Sequence, residues 1–205
     1  MTALCHRGPA RREVHGYQEF PNVARRNAMQ ELLEVPVLVR ALELPKGGRI
    51  LEVGCGRGVA LVPLARLCEP VLLAGLDVDD RLLAAAREQL DARRVHAELV
   101  RGDVTEMPFT DGSFDVVVDF GTCYHIDRPG LALCEIARVL RGGGLFVHET
   151  PVSQLLAHPV RSAGRRLPWA AVPELSRDRT AVLWSRRFVA ENHSRRAEPV
   201  QAQAP

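Results

Sequence analysis

The sequence lacks the features that mark several classes of protein. No apolar run approaches the roughly 20 residues that a membrane-spanning helix requires, and residues 1–20 contain no apolar core of a signal peptide. The five cysteines are odd in number and form no CxxC pair. We therefore expect free, buried thiols in a reducing compartment, and we predict a cytoplasmic protein with no membrane partner.

An excess of charge of one sign is also missing. The formal net charge is +2, and Lys46 is the only lysine among 27 basic residues. So small a net charge gives no reason to expect nucleic acid as a partner. A group of arginines late in the chain is compatible with an anionic substrate or RNA: Arg161, Arg165, Arg166, Arg177 and Arg179. Because aromatic residues are too sparse among them to form a stacking platform, we interpret them as solvated loop residues.

The composition is that of an ordinary globular domain. Apolar residues make up 46% of the 205 residues and charged residues 25%, and this length suits one domain with a full core. We interpret residues 1–20 as a flexible leader, 21–190 as the domain and 191–205 as a disordered tail. Apolar residues at helical spacing predict a helical cap over residues 21–45, with a break or kink at Pro36.

From Ile50 onward, strand and helix patterns alternate. Strands are expected at residues 50–53, 71–77, 97–101, 114–120, 145–149 and 180–184. Helices are expected at 58–68, 79–93 and 130–140, the last followed by the glycine run 142–144. This alternation predicts an α/β fold, a doubly wound Rossmann-like and mostly parallel sheet with helices on both faces. Only one plain strand follows residue 150, so the C-terminal strand region is expected to be short.

Glycine is concentrated in the segment that follows the first strand. There the strand runs into a turn with glycine at positions 54, 56 and 58. At such a turn the backbone bends tightly and a ligand approaches it closely. The next strand ends on Asp77, at the place where a carboxylate about 20 residues on normally holds a nucleoside ribose. This pattern predicts a site for a nucleoside-containing cofactor.

The spacing and the charge of this turn discriminate between cofactors. The dinucleotide fingerprint needs its third glycine at the position that Val59 occupies here. Glu52, just ahead of the turn, would repel a pyrophosphate and attract an ammonium or a sulfonium. S-adenosylmethionine is cationic and has no phosphate, so on charge it fits this turn better than NAD does.

Several motifs, in order between residues 28 and 150, resemble those of the class I S-adenosylmethionine-dependent methyltransferases. The similarity is to the small-molecule group that includes the ubiquinone and menaquinone enzymes. The motifs are Glu52–Gly58, Asp77 with Val78, Gly102–Val104 with Met107–Phe109, Phe114–Asp119 continuing to His125, and Leu140–Leu145. The resemblance implies the doubly wound fold and S-adenosylmethionine as cofactor.

The same resemblance implies a role for particular residues. The expected cofactor-binding set is Glu52, Gly54, Cys55, Gly56, Gly58, Asp77, Val78, Asp103, Val104 and Asp119. Within it, Glu52 is expected near the methionine end, and Asp77 is expected to hold both ribose hydroxyls. Val78 is expected beside the adenine, and Asp103 is expected to accept from the adenine amino group. The strand that ends on Asp119 is expected to face the transferable methyl.

Methyl transfer is an in-line displacement at an activated sulfonium, so the main contribution of a protein is position and orientation. An acceptor that must lose a proton also needs a base near the fourth or fifth strand end. His125 is the first candidate, followed by Tyr124 and His148, against the plainer interpretation that His125 only lines the pocket. Cys123, His125 and Asp127 alternate as metal ligands sometimes do, but one side of an extended segment explains them better, and no metal is expected.

The acceptor is expected to be a small organic molecule. With a short C-terminal region, the lid over it is small, is formed by residues 1–45, or comes from a second copy of the chain in a homodimer. Two other functions stay open. One is a non-catalytic S-adenosylmethionine-binding partner subunit, which the short lid region favours. The other is an NAD-dependent oxidoreductase, which Val59 and Glu52 argue against.

Overall fold

Two helices joined by a π-helical turn open the described part of the chain. The computed structural model describes residues 23–123, 125–149 and 180–182, so the expected leader, the tail and Tyr124 lie outside the described residues. Helix α1 is Val23–Met29, the π-helical turn is Gln30–Glu34 and helix α2 is Val35–Ala41. Pro36 directly follows the π-helical turn, and the flanking residues Met29, Glu34 and Val35 keep right-handed helical backbone angles. The helical segment therefore runs through this proline, and a π-helical turn stands where a break or kink was predicted.

Six strands form one sheet in the order β3-β2-β1-β4-β5-β6. The strands are β1 Arg49–Val53, β2 Leu72–Asp77, β3 Glu98–Arg101, β4 Phe114–Asp119, β5 Leu140–His148 and β6 Thr180–Val182. The connecting helices are α3 Leu61–Cys68, α4 Asp80–Arg93 and α5 Pro129–Val139. All pairings between the described strands are parallel, and the predicted α/β fold is confirmed. The strand order reverses between β1 and β4, where open sheets of this kind bind ligands.

The sheet divides the apolar core into two layers. Along β1, Ile50 packs into one layer while Leu51 and Val53 pack into the other. Helices α2, α3 and α4 contribute to the first layer and α5 to the second. Because β1 is buried from Ile50 onward, its sequence is a nearly continuous apolar run, as is usual for a parallel strand covered on both faces.

The glycine run 142–144 lies inside a strand, which corrects the prediction that strand five begins at residue 145. Phe114 of β4 pairs with Leu140, but Val116 pairs with Leu145, so two residues on β4 oppose five on β5. The surplus residues form a bulge, and Gly143 has a φ of +76° there. A glycine run often follows the end of a helix, but here it lies within an irregular strand that continues through it.

Two further predictions concern the cysteines and the membrane. Cys55, Cys68 and Cys123 are free and buried, as expected. Cys134 differs from this expectation, because it is disulfide-bonded. Among residues 23–123 and 125–149, none of the helices has the length and apolar character needed to cross a membrane.

Glu34, at the end of the π-helical turn, makes the stability of the fold depend on pH. It is buried, and burial raises its pKa to about 7, although the Arg26 guanidinium opposes the shift. An acid with a raised folded pKa stabilises the fold below its unfolded pKa and loses this contribution as pH rises through the folded pKa.

The unfolding free energy of Glu34→Gln relative to wild type should therefore rise by about 2–3 kcal/mol between about pH 5 and pH 8. Urea denaturation at several pH values measures it. The matched variant of exposed Glu88, Glu88→Gln, should show no such rise, and an equally flat curve for Glu34→Gln would refute the prediction.

Candidate active site

Strand register brings the predicted site residues to one edge of the sheet. Val53, the last residue of β1, pairs with Leu76 on one side and Asp119 on the other. Asp119 in turn pairs with His148 at the end of β5. The glycine turn, Asp77 and the ends of β4 and β5 therefore share the carboxyl edge at the point where the strand order reverses, which is the crevice where such sheets hold ligands.

The glycine turn is held close to the segment that follows β4. Gly54, Gly56 and Gly58 all have positive φ, and α3 begins only at Leu61 rather than at residue 58 because these residues form the turn. At Gly54 a Cβ would lie 1.8 Å from Thr122 Oγ1. No side chain fits in that space, so only glycine lets the turn lie this close to Thr122.

Asp77 anchors the same turn from β2. Its Oδ2 accepts from Gly56 N at 2.8 Å, and its Oδ1 accepts from Asp79 N at 2.9 Å. A carboxylate offers about four lone-pair positions, so two remain for a ligand. Asp77 is 8% exposed and its neighbour Val78 is 47% exposed. This arrangement presents acceptor oxygens beside an exposed apolar surface, which suits a ribose with its base.

Glu52 gives the site its electrostatic character. The residue is 2% exposed, and its Oε2 is buried without a hydrogen-bond partner among the described residues. Burial raises the pKa of this carboxyl well above its usual value; the Arg26 guanidinium opposes the shift, while the Asp77 and Asp119 carboxylates add to it. A buried acceptor surrounded by acids favours a cationic hydrogen-bond donor and disfavours a phosphate.

Asp103 lies in the loop after β3. It is exposed, and its Oδ1 accepts from the backbone and hydroxyl of Thr105 at 2.8 Å each. Val104 is buried and packs in the same core layer as Val53 and Met107. The loop thus places the Asp103 carboxylate at the surface beside the strand ends, while Val104 fixes the loop to the core.

Arg138, on α5, clamps this loop and was not predicted. It donates to the Met107 and Phe109 carbonyl oxygens at 3.0 and 2.7 Å and to Glu135 Oε2 at 2.8 Å. Glu135 Oε2 also accepts from Met107 N at 2.7 Å. One ion pair on a helix therefore holds the backbone of the loop that presents Asp103.

Removing this clamp should loosen the loop selectively. In Arg138→Met the apolar stem stays but the carbonyl contacts are lost, so we expect unfolding free energy to fall by about 2 kcal/mol. Hydrogen exchange should accelerate at the amides of residues 105–111, and the cofactor affinity should fall. The matched variant Arg141→Met removes an arginine whose described partners are Asp115 and Gly142. Equal exchange at the loop in both variants would contradict the clamp.

The candidate bases differ in their accessibility. His125 is exposed, and partial burial of its ring lowers its pKa, although Asp119 opposes the shift. His148 is 1% exposed, and its Nδ1 lies 2.9 Å from Asp119 Oδ2. A base must reach the proton it removes, so this geometry favours His125 and gives no support to His148. Asp119 is fully buried, and protein donors bind both of its oxygens.

The structure brings most of the predicted residues to one edge of the sheet, but some of them face the site with the backbone and not with the side chain. The Cys55 thiol points at Gly75, where a Cβ would lie 2.8 Å from Sγ, so only its backbone faces the turn. Its amide is already bonded to the Leu76 carbonyl at 2.9 Å. Sequence reasoning missed Thr122, Arg138 and Arg26, because their contacts connect residues distant in the chain. For Thr122 the signal that was available is its place in the predicted motif between β4 and His125.

The chain is similar to known methyltransferases. A family described as Methyltransferase domain matches residues 51–148. The chain is 34% identical over 149 residues to a phosphatidylethanolamine N-methyltransferase of Cereibacter sphaeroides, with 71% of this chain and 67% of that protein covered. It is 37% identical over 103 residues to a fatty-acid O-methyltransferase of Mycolicibacterium smegmatis, with 50% of this chain and 37% of that protein covered.

A solved structure of similar fold was also found. A complex between the Haloferax volcanii Trm112 methyltransferase activator and a putative methyltransferase matches with a TM-score of 0.55 at 26% identity, covering 76% of this chain and 72% of that chain. The chain spans between about a third and two thirds of the length of the two curated relatives above. The subgroup of ubiquinone and menaquinone enzymes is not distinguished by these matches. The agreement of sequence, strand order and glycine turn shows that the chain belongs to the class I S-adenosylmethionine-dependent methyltransferases.

Proposed function

We propose that this protein transfers the methyl group of S-adenosylmethionine to a small organic acceptor. The observation that supports this most is Glu52, whose buried Oε2 has no hydrogen-bond partner among the described residues and lies beside a glycine turn. The pyrophosphate of a dinucleotide supplies no donor for that oxygen, whereas the ammonium of the methionine end supplies one.

The residues at the strand ends fit the rest of this cofactor. Asp77 has acceptor capacity for a ribose, and Val78 offers an exposed apolar surface to a base. Asp103, held on the clamped loop, would accept from an amino group of that base. Gly56, where a Cβ would enter open space, allows the cofactor to approach the backbone. When bound, S-adenosylmethionine supplies an electrophilic methyl on a positively charged sulfur, and the residues of this chain position it and exclude competing orientations.

The relatives suggest the class of acceptor. The two curated relatives named above are described as acting on a fatty acid and on phosphatidylethanolamine. Both compounds carry long alkyl chains and a group that can be methylated, a carboxyl group in the fatty acid and an amino group in phosphatidylethanolamine. We therefore propose an acceptor with an apolar body and a hydroxyl, carboxyl or amino group that takes the methyl. The cytoplasmic location and the homodimer expected from the sequence stay predictions.

Methyl transfer itself is the test of this proposal. Purified protein would be incubated with S-adenosylmethionine carrying a labelled methyl, together with medium-chain fatty acids, alkyl amines, long-chain alcohols and phenols. We expect label in an extracted product and an equal yield of S-adenosylhomocysteine. If the protein binds S-adenosylhomocysteine but none of these acceptors is turned over, the non-catalytic partner subunit becomes the better interpretation. Reduction or oxidation of a substrate with NAD would favour the oxidoreductase instead.

His125 is the residue proposed to remove the acceptor proton. Because its pKa lies below the ordinary value, the basic form is already dominant at neutral pH, and turnover should fall only as the solution becomes acidic. His125→Gln should lower kcat by about 10²–10⁴-fold and abolish the acidic limb of the pH profile, while leaving the affinity for S-adenosylhomocysteine unchanged. Unchanged kcat would mean that His125 only lines the pocket.

A further inference from the structure

A buried polar pair joins the ends of β4 and β5. Asp119 and His148 are 0% and 1% exposed, and the His148 ring stacks on the ring of buried Phe146. Burial alone would raise the pKa of the Asp119 carboxyl, but hydrogen bonds from His148 and nearby backbone amides hold it below its ordinary value. Asp119 is therefore a carboxylate, and His148 Nδ1 must be the donor across the 2.9 Å contact.

The same carboxylate organises the turn after β4, residues 119–123, which we call the Asp119 turn. Oδ1 accepts from Gly121 N at 3.0 Å and from Thr122 N at 2.6 Å. Oδ2 accepts from Cys123 N at 3.3 Å in addition to His148. With these contacts the carboxylate fixes the direction of three successive amides, and His148 fixes the carboxylate.

The Asp119 turn contacts both halves of the candidate site. On the cofactor side, Thr122 Oγ1 donates to the Val53 carbonyl at 3.2 Å and occupies the space beside Gly54. On the acceptor side, the Thr122 carbonyl accepts from His125 N at 3.0 Å. A shift of Thr122 would therefore move the wall of the glycine turn and the proposed base together.

A buried polar pair that contains a carboxylate is a poor source of stability. An apolar pair of similar volume at such a place is often equally stable or more stable. Hydrogen bonds differ from apolar contacts in that they fix orientation. Besides the His148 bond, the Asp119 carboxylate accepts from backbone amides of the segment between β4 and His125, which contacts both the glycine turn and the proposed base.

We propose that His148 and Asp119 are a positioning pair. They hold the Asp119 turn so that Gly54 faces the cofactor while His125 faces the acceptor. Neither residue touches the reacting atoms in this arrangement. The inference rests on the proposed cofactor site, and it assigns His148 a function different from that of a base.

Variants of His148 test the pair through cofactor affinity. His148→Phe removes the donor and keeps an aromatic ring, and it should raise the Kd for S-adenosylhomocysteine by at least tenfold. His148→Asn places an amide donor near the position of Nδ1 and should return the Kd to within about threefold of wild type. The control is Phe146→Leu, which alters the ring stacked on His148 at a centroid distance of 5.7 Å. It should lower the melting temperature without changing the Kd.

Each outcome decides the inference. A folded His148→Phe with wild-type affinity would overturn it, as would a Phe146→Leu variant that loses as much affinity as His148→Phe. If His148→Phe does not fold, Thr122→Val takes its place, because it removes only the hydroxyl contact to Val53. A raised Kd in that variant supports the pair, and an unchanged Kd overturns it. Failure of the wild-type protein to bind S-adenosylhomocysteine would instead contradict the proposed function.

Discussion

Gly54→Ala should abolish measurable cofactor binding. The new Cβ would lie 1.8 Å from Thr122 Oγ1 and 2.9 Å from its Cβ, so the glycine turn and the Asp119 turn must separate. The φ of +63° at Gly54 adds a conformational cost of about 1–2 kcal/mol for a residue with a side chain. We expect the Kd for S-adenosylhomocysteine to rise by at least two orders of magnitude, as measured by calorimetry.

Gly47→Ala separates the steric clash with Thr122 from the conformational cost of a positive φ. Gly47 has a φ of +70°, but a Cβ there would meet nothing within 4 Å. It lies before β1, at the opposite end of that strand from the glycine turn. This variant should lose stability through backbone strain alone and keep its affinity. Wild-type affinity in folded Gly54→Ala would show that the close approach to Thr122 does not shape the cofactor site.

Asp77→Ala is expected to have an effect of similar size for a different reason. The substitution removes the acceptors proposed for the ribose and also the anchor of Gly56 N. Hydrogen bonds to a charged group contribute about 1.5–3 kcal/mol each, and 1.4 kcal/mol is a tenfold change in affinity. The Kd for S-adenosylhomocysteine should therefore rise by roughly two orders of magnitude or more.

The neighbouring acid Asp79 supplies the matched control. Asp79 caps α4 by accepting from Arg81 N at 2.8 Å. Losing such a cap costs about 1 kcal/mol of stability, so Asp79→Ala should melt earlier than wild type while binding cofactor normally. If Asp79→Ala weakens binding as much as Asp77→Ala does, the assignment of the ribose to Asp77 is wrong.

The architecture was predictable because it depends on local signals. Apolar runs bounded by glycine and proline located the first four strands to within a residue or two, and their alternation with helical patterns implied a parallel sheet. The bulge in β5 was not predictable, since it depends on how five residues from Leu140 onward align with two on β4. The π-helical turn before Pro36 was anticipated only as an unspecified break.

The site was predictable to the extent that it follows from strand ends. Glu52, Asp77 and Asp119 end up at one edge because parallel strands share direction. The sequence does not show which way each side chain points or which residues it bonds to. His148 lies at the expected strand end, but it faces inward to Asp119. Arg138 binds carbonyls of a loop about 30 residues earlier in the chain, and no local pattern indicates such a contact.

The central claim is that the carboxyl edge of β1 and β2 binds S-adenosylmethionine. Calorimetric titration of the wild-type protein with S-adenosylhomocysteine, with NADH as the control ligand, tests it most directly. The account predicts micromolar, one-to-one binding of S-adenosylhomocysteine and no heat of binding from NADH. Absence of S-adenosylhomocysteine binding in a demonstrably folded sample, or tighter binding of NADH, would contradict it.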